Sequence, residues 1–199
     1  EFIKKYIKIN KNSEILEIGC FIGDLLFLIK KKYKSKVYGV EPSKLACSYA
    51  NDKYNLKIEN KTFLNSTFFP NTKKNFQKFD LIIIDDVLSW IDRDILLNVI
   101  ASIDWALKDN GHIFLRDFSP KNSFAVKNHH WKSEKIYNFK VKNGHKTFFL
   151  ESGKYKIIKS KIFYTEKFNN KKSLNKQSNI WNEVILKKSK KFTYPINRF

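Results

Sequence analysis

The chain of 199 residues has few cysteines, few arginines and no long apolar run, and these shortages exclude several classes of protein. Two cysteines, Cys20 and Cys47, are too few for a disulfide framework or a cysteine-based metal site. No apolar stretch approaches the roughly 18–20 residues needed to cross a bilayer, so no membrane partner is predicted. Because no secretory leader is recognisable, we expect a cytoplasmic protein.

Acidic residues are scarce in the second part of the chain. Residues 1–119 carry 19 basic and 15 acidic side chains, whereas residues 120–199 carry 20 and 4. Lysine enrichment is typical of an AT-rich genome, but a uniform bias does not explain the loss of acids. The C-terminal part therefore either faces an anionic substrate or partner, or presents a surface solvated by lysines.

Strand-like and helix-like segments alternate through residues 13–118, which predicts a mostly parallel sheet covered by helices on both faces. The run FDLIIID has the continuous apolar character of a strand that is buried on both faces. A turn is predicted at KDNG (108–111). The predicted strands are 14–18, 36–41, a segment within 57–64, 79–85 and 112–118; the predicted helices are 24–33, one capped by Ser43, and 92–107.

From residue 119 the pattern becomes β-rich. Short β-like pieces lie within 119–145, a short helix near 146–152, and strands at 155–165 and near 180–187, with a polar loop at 166–179 between these two strands. We predict one domain over 1–199, with a ligand-binding half at 13–118 and a substrate-facing part at 119–199.

The turn EIGCFIGD joins the first strand to the first helix of this pattern. Gly19 and Gly23 allow a tight turn or the close approach of a ligand, but any strand-to-helix turn can use a glycine. Glu41 ends the second strand 22 residues after Gly19, near the spacing at which an acid reaches a ribose diol. The pair of features favours a nucleotide-like cofactor over a purely structural turn.

Four segments in order, EILEIGCFIGDLL, VYGVEPSKLA, FDLIIIDDVLSWI and LKDNGHIFLRDF, resemble the motifs of the class I S-adenosylmethionine-dependent methyltransferases. The resemblance implies a Rossmann-like, doubly wound sheet of seven strands with the last strand antiparallel, here carrying a β-rich insertion after strand five. It implies that the glycine turn holds the methionine part of S-adenosylmethionine and that Glu41 holds the ribose. The implied cofactor residues are Glu17, Gly19, Cys20, Phe21, Gly23, Glu41, Pro42, Asn65, Ser66, Thr67, Asp85 and Asp86.

Two positions depart from the family pattern. Phe21 stands where the family has the middle glycine of its first motif. After the third strand, where the family often has an acid near the adenine amino group, the chain reads FLNSTFFP, so Asn65, Ser66 or Thr67 must take that part.

Candidates for a catalytic base or a substrate contact follow the fifth strand. They are Asp117, His129 and His130; the two histidines point to opposite sides of an extended chain, so at most one faces the pocket. Asp86, Asp117 and a histidine could bind a divalent cation, but their spacing carries no metal signature, and no metal is predicted.

The acceptor pocket is expected from segments 119–145 and 166–179, since only about 13 residues precede the first strand. Their lysines, asparagines and aromatic side chains (Phe124, Trp131, Tyr137, Phe139 and Phe168) suit O- or N-methylation of a small anionic metabolite, such as a saccharide or nucleotide-linked intermediate. The alternatives are an RNA methyltransferase that uses the basic C-terminal part and a non-catalytic binding module. A nicotinamide-dependent oxidoreductase is disfavoured by the G-x-x-x-G spacing, and the oligomeric state stays open.

Overall fold

The computed structural model describes residues 2–68, 76–127, 137–164 and 180–189. The helices are α1 (Phe2–Tyr6), α2 (Asp24–Tyr33), α3 (Lys44–Tyr54), α4 (Arg93–Ala106) and α5 (Lys146–Glu151). The strands are β1 (Glu14–Ile18), β2 (Lys36–Val40), β3 (Ile58–Glu59), β4 (Phe79–Asp85), β5 (Leu107–Phe118), β6 (Phe124–Lys127), β7 (Tyr137–Lys140), β8 (Tyr155–Tyr164) and β9 (Ile180–Lys188).

Seven of these strands form one sheet in the order β3-β2-β1-β4-β5-β9-β8. The first five in this order run parallel to one another, and β9 runs antiparallel to both of its neighbours. The chain therefore has the predicted Rossmann-like sheet with an antiparallel last strand. In such a sheet the carboxyl ends of the parallel strands meet at one edge, which is where ligands bind.

The centre of the sheet is shielded from solvent because side chains of β4 are buried on both faces. Ile82 and Ile84 belong to a cluster that includes the apolar side of α4. Leu81 and Ile83 point the other way, into a cluster completed by α1 and α2. The side chains of β4 thus pack against helices on both faces of the sheet, as its continuous apolar sequence predicts.

Helix starts follow the capping residues of the sequence. The Ser43 hydroxyl accepts a hydrogen bond from the Ala46 N–H at 3.3 Å, and the Asp92 carboxylate accepts one from the Asp94 N–H at 2.8 Å. These side chains satisfy N–H groups that the first turn of a helix leaves without an intrahelical partner. The Ser43 cap fixes α3 directly after Glu41.

The segment KDNG differs from its prediction as a separate turn. Strand β5 includes it, and the register moves from Phe79 opposite Leu107 to Leu81 opposite His112. The extra residues bulge from the strand, with Asn110 in the left-handed region at φ 64°. An asparagine tolerates that backbone at low cost, so the chain absorbs the bulge without leaving the sheet.

The β-rich insertion after β5 contains a hairpin of β6 and β7, which forms its own two-stranded sheet. Strand β7 packs against a 3-10 turn, Leu88–Trp90, that follows β4. Helix α5 lies in the predicted place. His129 and His130 and the loop 166–179 lie outside the described residues, and in the described ranges no helix is long and apolar enough to span a bilayer.

Candidate active site

The turn between β1 and α2 is tightly packed against the segment that follows β4. Gly19 and Gly23 have φ values of 70° and 75°, a backbone region that favours glycine. A Cβ on Gly19 would lie 2.5 Å from Cγ2 of Val87, so this position has no room for a side chain. The turn therefore contacts Val87, the residue after Asp86, at the carboxyl edge of the sheet.

Glu41 lies beside this turn, at the end of β2. One carboxylate oxygen, Oε2, accepts the N–H of Phe21 at 2.9 Å, and the other, Oε1, accepts the N–H of Ser43 at 2.8 Å. A carboxylate has about four acceptor positions, so each oxygen can accept one more donor. The arrangement fits a diol such as ribose, and the two backbone N–H groups fix the carboxylate in place.

Phe21 fits the turn without filling it. Its φ is 48°, and 64% of the side chain is exposed. Phe21 therefore adopts the left-handed backbone conformation that a glycine would favour at this position, at a cost of roughly 1–2 kcal/mol. Its ring leaves the turn open, and its N–H holds Glu41.

Cys20 is buried, and its thiol contributes nothing to the exposed side of the turn. The Sγ atom packs against β2, where a Cβ on Gly39 would come within 2.7 Å of it. Burial raises the pKa of the thiol, and the neighbouring Glu17 and Glu41 raise it further. A cofactor role for Cys20 is therefore confined to its backbone.

The predicted adenine side is only partly open. Asn65 and Thr67 are exposed, but Thr67 is hydrogen-bonded to Glu59 through both its N–H (2.8 Å) and its hydroxyl. Ser66 is buried, and its hydroxyl accepts the N–H of Phe68 at 3.2 Å. Asn60, which the sequence did not single out, donates to the carbonyl oxygens of Glu41 (3.1 Å) and Pro42 (2.9 Å). Asn60 thus ties the end of β3 to the backbone of the buried Glu41 and the exposed Pro42.

Glu17 is the acidic residue at the carboxyl end of β1. It is 5% exposed, and no donor among the described residues reaches its Oε2 atom. Burial raises its pKa to about 8, the nearby Asp85 adds to the rise, and Arg116 opposes it. A buried carboxyl with an unpartnered oxygen next to the glycine turn fits the amino group of the methionine part of the cofactor.

We expect Glu17→Gln to change how stability depends on pH. Since the folded pKa lies above the unfolded value, the folded chain binds a proton that the unfolded chain has released between pH 4.5 and about 8. The free energy of unfolding of the wild type therefore falls with rising pH in this window, relative to Glu17→Gln, by up to about 1.4 kcal/mol per pH unit. Urea unfolding at pH 5, 6, 7 and 8 measures this slope. The exposed Asp52→Asn is the control, and equal slopes in wild type and Glu17→Gln would contradict the prediction.

Asp85 and Asp86, predicted together, have separate environments. Asp85 forms an ion pair with Arg116, which lies 3.6 Å from Glu183 on its other side. Asp86 has a left-handed backbone at φ 54°, and its Oδ1 accepts the indole N–H of Trp90 at 3.1 Å. Burial and the nearby Asp117 raise the pKa of Asp86 to about 6, against the Trp90 hydrogen bond and the charge of Lys140.

Asp117 lies at the carboxyl edge of the sheet but is 2% exposed, which differs from its predicted role as a base open to substrate. Its carboxylate accepts hydrogen bonds from the N–H and hydroxyl of Ser89 and the N–H of Phe118, and lies 3.4 Å from Nδ1 of His145. Burial alone would raise its pKa, but the neighbouring His145 ring and the hydrogen bonds from Ser89 and Phe118 hold it below its ordinary value. The carboxylate is an anchor for the loops around it.

Two further residues of this edge were missed from the sequence, Lys140 and Trp90. Lys140 ends β7 and is 3% exposed, with its Nζ 4.4 Å from the centre of the Trp90 ring. The sequence signal for Lys140 was its place in the alternating segment YNFK. Alternation alone does not show which face of a strand packs against another element, so the burial of Lys140 could not be predicted. In the described ranges, no three His, Cys, Asp or Glu side chains lie close enough together to hold a metal ion.

The sheet order, and a glycine turn that lies beside Glu41, have the arrangement expected of a class I S-adenosylmethionine-dependent methyltransferase. Residues 1–152 match a family model described as a methyltransferase domain, and the chain belongs to this family, whose cofactor is S-adenosylmethionine.

One curated protein has a similar sequence, and several solved structures have a similar fold. A ribosomal protein L11 methyltransferase of Thermosipho africanus is 28% identical over 137 residues, which cover 67% of this chain and 49% of that protein. The chain thus spans about half the length of this curated relative. A putative S-adenosylmethionine-dependent methyltransferase structure from Listeria monocytogenes has a TM-score of 0.66 at 12% identity, covering 95% of this chain and 97% of the other. The 1,6-didemethyltoxoflavin-N1-methyltransferase of Burkholderia thailandensis, with bound S-adenosylhomocysteine, has a TM-score of 0.66 at 11% identity, covering 89% and 72%.

Proposed function

We propose that this protein transfers the methyl group of S-adenosylmethionine to an oxygen or nitrogen of a small anionic metabolite, such as a saccharide or nucleotide-linked intermediate. One observation carries the proposal: Val87, which packs into the glycine turn, directly follows Asp86, a half-buried carboxyl with a pKa of about 6. A group that can take up a proton at neutral pH therefore lies beside the cofactor cradle.

The chain's own residues supply position and a proton acceptor. S-adenosylmethionine would supply a methyl group on a positively charged sulfur; the acceptor's oxygen or nitrogen would bond to the methyl carbon in line with the sulfur, which would leave as S-adenosylhomocysteine. Glu41 would hold the ribose and the glycine turn the methionine part, and the Asp86 carboxylate would accept the proton that the acceptor's hydroxyl or amine loses. Asp86 then returns the proton to solvent after the product leaves.

The position of the Asp86 backbone supports this role. Its φ of 54° lies in the left-handed region, which aspartate, like asparagine, adopts more readily than most non-glycine residues. Here the N–H of Asp86 donates to the carbonyl of Arg116 at 2.7 Å, and Trp90 holds the side chain. The carboxyl is therefore fixed before an acceptor arrives.

The anionic character of the acceptor is supported by the charge of the chain after β5. Residues 120–199 carry 20 basic and 4 acidic side chains, and this part of the chain brings Lys140 into the neighbourhood of Asp86. An acceptor with a phosphate or carboxylate group would match this excess of positive charge.

The first test combines cofactor binding with methyl transfer. Wild type is titrated with S-adenosylhomocysteine by calorimetry, and labelled S-adenosylmethionine is then offered with phosphorylated sugars, nucleotide-linked sugars and their uncharged counterparts. Transfer confined to the anionic compounds supports the proposal. Transfer to RNA with a steep loss at high salt would favour the RNA alternative, and a folded wild type that does not bind S-adenosylhomocysteine would overturn the assignment.

We expect Asp86→Asn to lower kcat by about 100-fold to 1000-fold, because an amide cannot accept the proton. The amide oxygen still accepts the Trp90 N–H, so S-adenosylhomocysteine binding stays within about threefold of wild type. Initial rates at saturating acceptor measure the effect, with Asp52→Asn as the control. Unchanged kcat in Asp86→Asn would show that Asp86 is not the base.

A further inference from the structure

Lys140 is a buried lysine, with 3% of the residue exposed. Its Nζ atom bonds to no acceptor among the residues that the structure describes. Lysine is rarely buried unless its charge is paired, so its place needs a physical reason. The reason lies in the groups around the ammonium.

Two aromatic rings enclose the ammonium. Nζ lies 3.7 Å from the centre of the Phe118 ring and 4.4 Å from that of Trp90. Cations are attracted to ring faces at such distances, and the attraction is strongest where water is excluded. Phe118 packs in turn against Trp181, with ring centres 4.1 Å apart, so β5 and β9 support the enclosure.

The same rings connect Lys140 to the candidate base. Trp90 presents its face to Nζ and donates its indole N–H to Asp86, and Phe118 directly follows Asp117. Four groups from different elements act on the Asp86 carboxyl. They are Trp90 of the turn after β4, Asp117 of β5, Lys140 of β7, and the adjacent Asp85. Lys140 is the positive charge in this set, while Arg116 is paired with Asp85.

The acids beside Lys140 are not equally free. Asp117 is already bonded to Ser89 and Phe118 and lies against His145, whereas Asp86 has only the Trp90 bond described on its carboxylate. Burial lowers the pKa of Lys140 to about 8, and the charges of Asp117 and Asp86 oppose that fall. The ammonium is thus mainly charged at pH 7. Asp117 is its stronger charge partner, but the lowered pKa of Asp117 keeps that carboxylate ionised at neutral pH, so Asp86, with a pKa near 6, is the carboxyl whose protonation Lys140 can change.

We propose that Lys140 is a positioning residue for the reaction: held between Trp90 and Phe118, its ammonium keeps the Asp86 carboxylate ionised and ready to accept a proton. The role of Asp86 as the base in this inference rests on the proposed function. The electrostatic coupling between Lys140 and Asp86 does not depend on it. The insertion after β5 would then supply a charge to the chemical step as well as a wall to the pocket.

The coupling is tested by titrating Asp86 through its carboxyl carbon signal in NMR, identified by its loss in Asp86→Asn. In wild type the midpoint is expected near 6, which leaves about nine-tenths of the carboxyl ionised at pH 7. In Lys140→Met the midpoint is expected at about 7 or above, leaving half or less ionised. Lys140→Arg retains the charge and should keep the midpoint near that of wild type, and the exposed Lys156→Met is the matched control. An unchanged midpoint in folded Lys140→Met would overturn the proposal.

A reciprocal measurement covers the case in which Lys140→Met does not fold. Coupling between two sites is mutual, so the titration midpoint of Lys140 must fall in Asp86→Asn by as much as that of Asp86 rises in Lys140→Met. The Lys140 signal from labelled lysine gives this value in a variant that conserves the shape of the side chain. A Lys140 midpoint that does not move in Asp86→Asn overturns the proposal on its own.

Activity supplies the readout that a merely structural lysine would not change. With an acceptor identified, the acid limb of kcat/KM against pH is expected to move upward by at least about one pH unit in Lys140→Met, while the plateau at high pH stays within about threefold. A uniform loss at every pH would contradict the positioning role. If wild type does not bind S-adenosylhomocysteine, the proposed function fails, and the two titrations still decide whether Lys140 and Asp86 are coupled.

Discussion

We expect Glu41→Ala to bind S-adenosylhomocysteine at least about 100-fold more weakly than wild type. The carboxylate lies beside the glycine turn with an acceptor position left on each oxygen, after the N–H groups of Phe21 and Ser43 are counted. Hydrogen bonds from two ribose hydroxyls to a charged acceptor are worth about 1.5–3 kcal/mol each, and alanine loses both. Calorimetric titration at pH 7 measures the change.

Two further variants make this result specific. Glu14→Ala removes a glutamate from the other end of the neighbouring strand, where Glu14 is paired with Lys36 at 3.2 Å, and should bind like wild type. Glu41→Gln presents an NH₂ group to one of the two backbone donors and is expected to bind with an intermediate affinity. If Glu41→Ala bound S-adenosylhomocysteine as tightly as wild type, the ribose assignment would be wrong.

The alternation of strands and helices was predictable because each segment carries its own signal. The strands 14–18 and 79–85 have the predicted bounds, and so does the helix 24–33. These segments are continuous apolar runs or have a helical apolar period, and their ends coincide with glycines or charged residues. The bulge at 108–111 was not predictable in this way, since KDNG has the composition of a turn and only the pairing with β4 holds it in the sheet.

The candidate site was predictable where it depends on the chain's order. Gly19, Gly23 and Glu41 follow strands that lie side by side, so their closeness follows from the parallel sheet. The separate environments of Asp85 and Asp86 could not be predicted from the sequence. Adjacent residues of a strand point to opposite faces of the sheet, so the two carboxylates contact different partners. Lys140 is separated from Asp86 by more than 50 positions and comes near it through a hairpin, a contact that no local pattern encodes.

The departure at Phe21 shows what an exposed position tolerates. A turn that needs a left-handed residue can accept phenylalanine when its side chain points away from neighbouring atoms, as the exposed ring does here. Gly19 has no such freedom, because Val87 occupies the space of its missing side chain. Backbone conformation therefore constrains both positions, and packing is an additional constraint on Gly19.

The second large effect is expected on stability, in Asp117→Ala. Alanine leaves the N–H groups of Ser89 (3.0 Å) and Phe118 (2.7 Å) without their acceptor in a buried place, and removes a negative charge from beside Lys140. Breaking a buried charged network by removing one partner costs about 3–5 kcal/mol. Urea unfolding at pH 7 should therefore show a loss of this size, whereas the exposed Asp52→Ala should change stability by less than about 0.5 kcal/mol.

Asp117→Asn separates the charge from the shape. The hydrogen bonds hold the pKa of Asp117 below its ordinary value in the folded state, so its contribution is present above the unfolded value of about 4 and is lost as the pH falls through the folded pKa. Wild type should therefore lose stability more steeply than Asp117→Asn as the pH falls below about 5, and the two curves should approach each other in acid. Parallel curves would mean that the carboxylate charge contributes nothing to the anchor. A stable Asp117→Ala would mean that the turn at Leu88–Trp90, and with it the Trp90 bond to Asp86, is held by other contacts.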